Sequence, residues 1–262
     1  MGTTVAEIRA LLRAADAEEF AVLERSLVAD SRKGVQAALQ AARRRLEAQA
    51  SERDRLLSMY SFESEVVSQR GGTIAIGLDE VGRGPLAGPL AVGAVVLPAE
   101  PMIEGLNDSK QVHPDDRERI ATEIRRVALA WAVEYVEPAM IDECGMAACL
   151  RKAFSCAISA VESQGVVPDV VLIDGNPLHV DEREVNLVKG DARCASIAAA
   201  SIIAKVDRDA LMCRYALEYP EYGFAANKGY ASPDHIAAIR RVGLSPIHRA
   251  SFCSSFSQES LF

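Results

Sequence analysis

Two adjacent carboxylates and a glycine-rich segment follow an apolar run near residue 79. The run Thr73–Leu78 is apolar and β-branched, which predicts a buried strand. Asp79 and Glu80 come next, and the segment 82–89 then contains three glycines and two prolines. Because glycine lets a backbone approach a ligand closely, this pattern indicates charge and backbone groups at a sheet edge. A solvated turn is the alternative, although Arg83 alone could not neutralise two acids.

Two further aspartates lie at predicted element ends on the same side of the sheet. Asp174 closes the continuously apolar run 170–173, which is typical of a parallel strand buried on both faces. If that strand pairs in parallel with the first, Asp79 and Asp174 would lie side by side, about 4.8 Å apart. Asp191 precedes a long predicted helix, as its N-cap or as a third acid at the same rim. For Asp174, a plain turn residue is the alternative.

Oxygen ligands grouped in this way favour a hard divalent cation. Four like charges at one rim repel unless a cation holds them, and carboxylates select Mg²⁺ or Mn²⁺. Two such ions about 4 Å apart could clamp the attacking and leaving oxygens of a phosphodiester. The spacing therefore indicates metal-dependent chemistry on a phosphate ester.

The elements that must position these acids form a mixed α/β domain with a helical extension before it. Residues 1–70 read as helices, with a capping box at Thr4–Glu7 and an exposed arginine triplet at 43–45. Gly71 and Gly72 mark the boundary with a second domain, 71–262. Five strands are predicted there, the first two antiparallel: Thr73–Asp79, Leu90–Leu97, Leu129–Val136, Asp169–Asp174 and Glu184–Val188. Helices are predicted over 114–128, Met140–Ser163, 191–215 and Ser232–Val242.

Composition narrows the class of protein. The 262 residues carry a formal net charge of -8, which argues weakly against non-specific binding to nucleic acid. No apolar run approaches the ~20 residues of a membrane span, and the N-terminus does not resemble a signal peptide. The six cysteines form no CxxC pair, which predicts reduced core thiols and no zinc site. We therefore expect a cytoplasmic protein without a membrane partner.

Several blocks, in order, resemble bacterial ribonuclease HII over about residues 73–252. The blocks are Gly77–Pro89, Asp108-Ser109-Lys110, Asp174, Lys189-Gly190-Asp191, Ile197–Asp209, Lys228-Gly229-Tyr230 with His235, and His248-Arg249. The resemblance implies a ribonuclease H-like fold, a mixed five-stranded sheet flanked by helices. It also implies two Mg²⁺ or Mn²⁺ ions with substrate. The catalytic metal ligands would be Asp79, Glu80, Asp174 and Asp191.

The same resemblance implies how substrate is recognised. The backbone of Gly82, Arg83 and Gly84 would read the ribose 2′-hydroxyl, and Tyr230 would pack on the sugar at the RNA–DNA junction. Lysines would contact phosphates: Lys110, Lys189, Lys205 and Lys228. For Lys205 an i,i+4 pair with Asp209 is an equal interpretation. Metal-bound water would attack, so His235 and His248 are expected to be structural.

The expected activity is endonucleolytic hydrolysis of the RNA strand of RNA–DNA hybrids. Cleavage at single ribonucleotides embedded in duplex DNA is also expected, with 3′-hydroxyl and 5′-phosphate ends. The alternatives are a ribonuclease HIII-like nuclease and a non-catalytic hybrid-binding module. The protein is expected to be a monomer. The tail Gln258–Phe262 resembles a sliding-clamp-binding peptide, with a disordered terminus as the alternative.

Overall fold

The computed structural model describes residues 3–257. In it the chain forms two compact units. The first unit is Met1–Leu57 and the second is Ser58–Phe262. The long helix α3 (Lys33–Gln69) contributes to the first unit up to Leu57 and to the second from Ser58 onward. The domain boundary expected at residues 70–71 stays a prediction.

The first unit is built by α1 (Val5–Ala14), α2 (Ala17–Leu27) and the beginning of α3. The predicted capping box at Thr4 and Glu7 is confirmed, and a second one forms at the start of α2. Apolar side chains from the three helices make the core, among them Ile8, Leu12, Phe20, Val35, Leu39 and Ala42. The arginine triplet is only partly solvated, because the Arg45 guanidinium donates to the Ala15 carbonyl at 2.6 Å.

The second unit contains a five-stranded sheet. Its strands are β1 (Ala75–Val81), β2 (Leu90–Val96), β3 (Ala130–Val136), β4 (Val170–Asp174) and β5 (Glu184–Leu187), in the order β3-β2-β1-β4-β5. The expected antiparallel pairing of β1 with β2 and parallel pairing of β1 with β4 are both confirmed. Continuous apolar sequence explains why the central strands are buried on both faces.

Helices flank the sheet and follow it. They are α4 (Pro114–Val127), α5 (Pro138–Cys144), α6 (Met146–Glu162), α7 (Ala195–Glu218), α8 (Phe224–Asn227), α9 (Pro233–Val242) and α10 (Ala250–Ser257), with 3₁₀ turns at Gly190–Ala192 and Pro220–Tyr222. No helix within residues 3–257 combines the length and apolar composition needed to span a membrane. A mixed α/β sheet with flanking helices and an N-terminal helical segment is therefore confirmed.

The centre of α7 lies against the sheet because two strand residues lack a side chain. A Cβ built on Gly77 would be 2.3 Å from the Ile197 backbone nitrogen, and one on Gly93 would be 2.2 Å from the Ala200 carbonyl oxygen. The run 198–201 supplies small residues on the helix side, as the sequence predicts. The neighbouring residues of β1 point to the opposite face, where Ile76 and Leu78 join the core that α6 helps to form.

Four predictions need correction. The single helix over Met140–Ser163 is wrong, because Gly145 has φ +78 and separates α5 from α6. Asp191 is not the N-cap of a helix over 191–215: it lies in the 3₁₀ turn, and Cys194 is the N-cap of α7. Asp79 does not end its strand, since β1 continues to Val81. Of the six free thiols, three are buried (Cys149, Cys194 and Cys253) and three are exposed.

Candidate active site

Three aspartates lie near one another at the same edge of β1 and β4. Leu78 pairs with Ile173 in the parallel register, so the next residues, Asp79 and Asp174, stand at the same edge. Asp191 is brought there by the 3₁₀ turn, because the Gly190 N–H donates to Asp174 Oδ1 at 2.6 Å. The positions that sequence spacing singled out therefore lie together, through strand pairing for two of them and a turn for the third.

Asp79 and Asp191 are buried, Glu80 and Asp174 are partly buried, and the carboxylates influence one another. Asp79 is only 6% exposed, and burial, followed by repulsion from Glu80, raises its pKa to about 8. Burial also raises the pKa of Glu80, although Arg83, whose Nη1 lies 3.7 Å from Glu80 Oε1, opposes this. Burial and then Asp174 raise the pKa of Asp191. The acids are therefore close enough to repel, and the site favours a positive charge.

A divalent cation fits this donor set. Every candidate ligand is a carboxylate oxygen, the type that Mg²⁺ and Mn²⁺ prefer, and a cation would offset the repulsion that raises these pKa values. Within residues 3–257, however, no group of three or more His, Cys, Asp or Glu side chains is arranged to hold a metal ion. The acids share an edge without converging on one point, so their assignment as metal ligands stays a prediction.

Two polar groups beside the acids were missed by the sequence analysis. Ser201 of α7 hydrogen-bonds the Asp79 carboxylate, which opposes the rise in that pKa, and its Oγ lies 2.9 Å from Ser109 Oγ. The sequence feature that could have identified Ser201 is a hydroxyl residue at the end of an alanine run, on the helix face that packs against the sheet. Asp108 is a further acid, whose Oδ1 accepts from the Lys110 N–H at 2.9 Å.

Lys110 is the predicted phosphate-binding lysine that faces the acids. Burial by itself lowers the pKa of Lys110, but the nearby carboxylates of Asp108 and Asp79 outweigh burial and raise this pKa. The side chain remains largely exposed and can reach a ligand at the acidic edge.

The other predicted lysines have local partners or lie in the open. Lys205 Nζ pairs with Asp209 Oδ1 at 2.7 Å, which supports its structural interpretation. Lys228 Nζ donates to the Ala225 carbonyl oxygen at 2.6 Å, and Lys189 is exposed in a left-handed conformation.

The glycine segment, residues 82–89, lies next to the turn that carries Tyr230. The Leu86 N–H donates to the Gly229 carbonyl oxygen at 2.8 Å, which joins the two segments directly. Arg83 and Tyr230 are exposed, the tyrosine by 44% of its surface. A Cβ on Gly84 would meet no atom within 4 Å, so the space beside this glycine is open. Of the predicted ribose-reading residues, Arg83, Gly84 and Tyr230 are therefore accessible, whereas Gly82 is buried.

The two histidines are buried, which supports the structural role expected of them. Their Nε2 atoms lie 3.0 Å apart, and His235 Nδ1 hydrogen-bonds the Tyr230 carbonyl oxygen at 2.8 Å. Burial, followed by the neighbouring His235, lowers the pKa of His248 to about 4. The pair is therefore neutral near pH 7 and packs under the turn that carries Tyr230.

Comparisons with known proteins cover nearly the whole chain. The family model described as Ribonuclease HII matches residues 76–255, and the one described as Ribonuclease HII N-terminal domain matches 4–66. Ribonuclease HII of Ruminiclostridium cellulolyticum is 45% identical over 206 residues, 78% of this chain and 79% of its own length. Ribonuclease HII of Listeria monocytogenes is 40% identical over 252 residues, 96% and 95% of the two chains. The solved structure of ribonuclease H2 from Pyrococcus horikoshii OT3 is 27% identical, with a TM-score of 0.60, over 70% of this chain and 97% of its own.

Proposed function

The chain belongs to the ribonuclease HII family, and from that premise we propose how its acidic edge and glycine segment divide the reaction. Membership of this family makes the chain a ribonuclease H, an endonuclease that acts on RNA–DNA hybrids. We propose that it hydrolyses the RNA strand of a hybrid and also cuts at a single ribonucleotide within duplex DNA. One observation carries this proposal: the buried Asp79, the partly buried Glu80 and the exposed Arg83 and Gly84 occur on the same short stretch, 79–84.

Asp79, Glu80, Asp174 and Asp191 would hold two divalent cations, Mg²⁺ or Mn²⁺. When bound, such ions activate water and stabilise the leaving oxygen of a phosphodiester. The protein contributes a partly buried, acidic edge with fixed charges, which interact more strongly with a cation and substrate than charges in open water do. In-line attack on phosphorus opposite the 3′ oxygen would leave 3′-hydroxyl and 5′-phosphate ends. Lys110, at the border of this edge, is placed to contact a flanking phosphate.

Recognition of ribose falls to the glycine segment and Tyr230. The 2′-hydroxyl both donates and accepts a hydrogen bond, which separates RNA from DNA at one position. The space beside Gly84 is open to a sugar, and at Gly82 and Arg83 the N–H groups would make the contact, because both carbonyl oxygens accept hydrogen bonds from Arg249. The exposed Tyr230 ring would pack on the adjoining sugar. Contact with a ribose at these groups would place its phosphate at the acids.

Several expectations about partners and organisation remain proposals. The clamp-binding peptide Gln258–Phe262 lies outside the described residues, and its test is a pull-down with the sliding clamp before and after deletion of those five residues. Unchanged capture would eliminate it. The helical segment 1–70 as a separate domain, a monomeric state and a cytoplasmic location also stay predictions.

Cleavage of a defined duplex tests the proposed function. A DNA duplex with one embedded ribonucleotide should be cut at that position in Mg²⁺ or Mn²⁺. The variants Asp79→Asn and Asp174→Asn should lose cleavage and keep binding, whereas the exposed control Glu182→Gln should cut normally. Cleavage of long hybrids alone would favour the ribonuclease HIII-like alternative. Binding without any cleavage would favour a hybrid-binding module, and full activity of both Asn variants would exclude the metal-site assignment.

A further inference from the structure

Two arginines beneath the glycine segment are fully buried. Arg208 and Arg249 each have 0% relative exposure, although arginine is almost never fully buried without a charged partner. Within residues 3–257 neither guanidinium forms an ion pair with a carboxylate. Burial, followed by repulsion from Arg208, lowers the pKa of Arg249 to about 10, which leaves it charged at neutral pH. Two unpaired buried cations require an explanation.

Among the described residues, the Arg249 guanidinium donates hydrogen bonds only to backbone carbonyls of the glycine segment, and its carbon lies 5.3 Å from the centre of the Phe252 ring. Its Nη2 donates to the Gly82 oxygen at 2.6 Å and to the Gly88 oxygen at 2.8 Å. Nη1 donates to the Arg83 oxygen at 3.1 Å, and Nε donates to Gly88 at 3.1 Å. The rigid fork of one guanidinium thus connects both ends of the segment 82–88. Lysine could not reproduce this geometry, because its charge is a single point.

Arg208 connects the same segment to the turn that carries Tyr230. Its Nε donates to the Pro89 oxygen at 2.9 Å, and Nη2 donates to the Ala87 oxygen at 3.2 Å. Nη1 donates to the Lys228 oxygen at 3.0 Å, and the guanidinium carbon lies 6.0 Å from the centre of the Tyr230 ring. One side chain therefore sets the spacing between the two groups proposed to read ribose.

The fit around these side chains is tight. A Cβ on Gly82 would lie 2.2 Å from Arg208 Nε, and Gly82 has φ +90. A Cβ on Gly229 would lie 2.2 Å from the Ala87 carbonyl oxygen, and Gly229 has φ +86. Gly82 and Gly229 are thus required by the close contacts around them. The space beside Gly84, in contrast, is open.

General stabilisation does not account well for this arrangement. Apolar side chains of similar volume often stabilise a core as well as buried charges do. All seven hydrogen bonds of the two guanidinium groups end on residues 82–89 or on Lys228. Within residues 3–257 their hydrogen bonds are therefore confined to the segments that present the ribose-reading groups.

We propose that Arg208 and Arg249 are positioning residues that fix the distance between the glycine segment and Tyr230, and so determine discrimination of ribose from deoxyribose. This inference rests on the proposed function, because it assumes that these segments contact the sugar. It assigns the two arginines no part in metal binding. Loss of either fork should therefore reduce reading of the 2′-hydroxyl while the acidic edge keeps its affinity for the cation.

A coupling experiment tests the assignment. Single-turnover cleavage is measured on duplexes with one ribonucleotide or one 2′-fluoro nucleotide, using wild type, Arg249→Lys and Arg208→Lys. On the ribonucleotide substrate, the single-turnover cleavage rate of the Lys variants should fall about 100-fold. A fall of this size is expected when the reacting groups are misplaced by about 1 Å. On the 2′-fluoro substrate, where the hydroxyl contact is already absent, the loss should be less than about 3-fold, because coupled perturbations are not additive. The Mn²⁺ concentration for half-maximal rate should be unchanged.

Controls separate positioning from misfolding. Arg151→Lys, on the exposed surface of α6, should match wild type. If the Lys variants fail a circular-dichroism and melting check, Gly229→Ala provides the second route. Its Cβ would push the two segments apart while both arginines remain, and it should give the same substrate-dependent loss.

Defined results would overturn the proposal. An equal fold-loss on both substrates would do so, as would a half-maximal Mn²⁺ concentration that rises with the loss. If wild type itself does not cut at the ribonucleotide, the proposed function fails instead.

Discussion

Removal of the Glu63 carboxylate should destabilise the beginning of α7. Cys194, the N-cap of this helix, makes no side-chain cap hydrogen bond to it. Glu63 supplies the missing acceptor from α3: its Oε2 accepts from the Ser196 N–H at 2.8 Å and from Cys194 Sγ at 3.1 Å. Since Asp191 lies only three residues before Cys194, this contact also supports the turn that carries a proposed metal ligand.

The structure sets the expected size of the effect. Loss of a helix N-cap costs about 1 kcal/mol, and loss of a second acceptor for a buried donor adds about 1 kcal/mol. Glu63→Ala should therefore lower the free energy of unfolding by about 2 kcal/mol at pH 7. Glu63→Gln keeps an acceptor oxygen and should cost less than about 0.5 kcal/mol.

The pH dependence gives a second expectation. Burial raises the pKa of Glu63 above its ordinary value of 4.5, although the Ser196 N–H opposes this. A carboxyl with a raised folded pKa contributes most stability below its unfolded pKa and loses that contribution as the pH rises through the folded pKa. Wild type should thus gain stability relative to Glu63→Gln when the pH falls from 7 toward 4.5.

Urea denaturation followed by circular dichroism measures both effects. The matched control is Glu65→Ala, on the same helix, whose carboxylate meets only the Gln69 side chain at 3.4 Å. It should change stability by less than about 0.5 kcal/mol. The reasoning is refuted if Glu63→Ala is no more destabilising than this control, or if Glu63→Gln costs as much as Glu63→Ala.

Three further predictions concern packing, protonation and metal. Gly77→Ala should lower the unfolding free energy by more than about 2 kcal/mol, because its Cβ would meet the Ile197 nitrogen at 2.3 Å; a melting curve equal to wild type would contradict this. Because folding lowers the pKa of His248, the neutral ring contributes stability that is fully present above about pH 6.5 and is lost as the pH falls toward 4. In urea denaturation, His248→Asn should therefore show a smaller change in stability between pH 7 and 5 than wild type. Chelation with EDTA should abolish cleavage, and added Mn²⁺ or Mg²⁺ should restore it; activity that persists in EDTA would exclude a divalent-cation requirement.

Much of the fold follows from local pattern. Apolar runs located all five strands to within two residues at each end, because a buried strand requires apolar side chains at consecutive positions of the sequence. Gly145 shows the limit of this approach: the surrounding apolar pattern is helical, yet one glycine with positive φ divides the helix. The N-cap alternative for Asp191 was likewise wrong, because a short 3₁₀ turn has no periodicity to detect, whereas its expected place beside the other acids agrees with the structure.

The sequence by itself singled out the residues that we propose for the chemistry. Acids at strand ends, glycines after them and a tyrosine in a loop are recognisable from residue type and spacing, since each depends on its near neighbours. Only the tertiary structure decided how they are held. The bonds from Arg249 to Gly82 and from Glu63 to Ser196 join residues 167 and 133 positions apart. Such partners become neighbours only when the end of β1 packs against the residues before α10, and α3 against α7, because side-chain contacts depend on distance in space rather than distance along the chain.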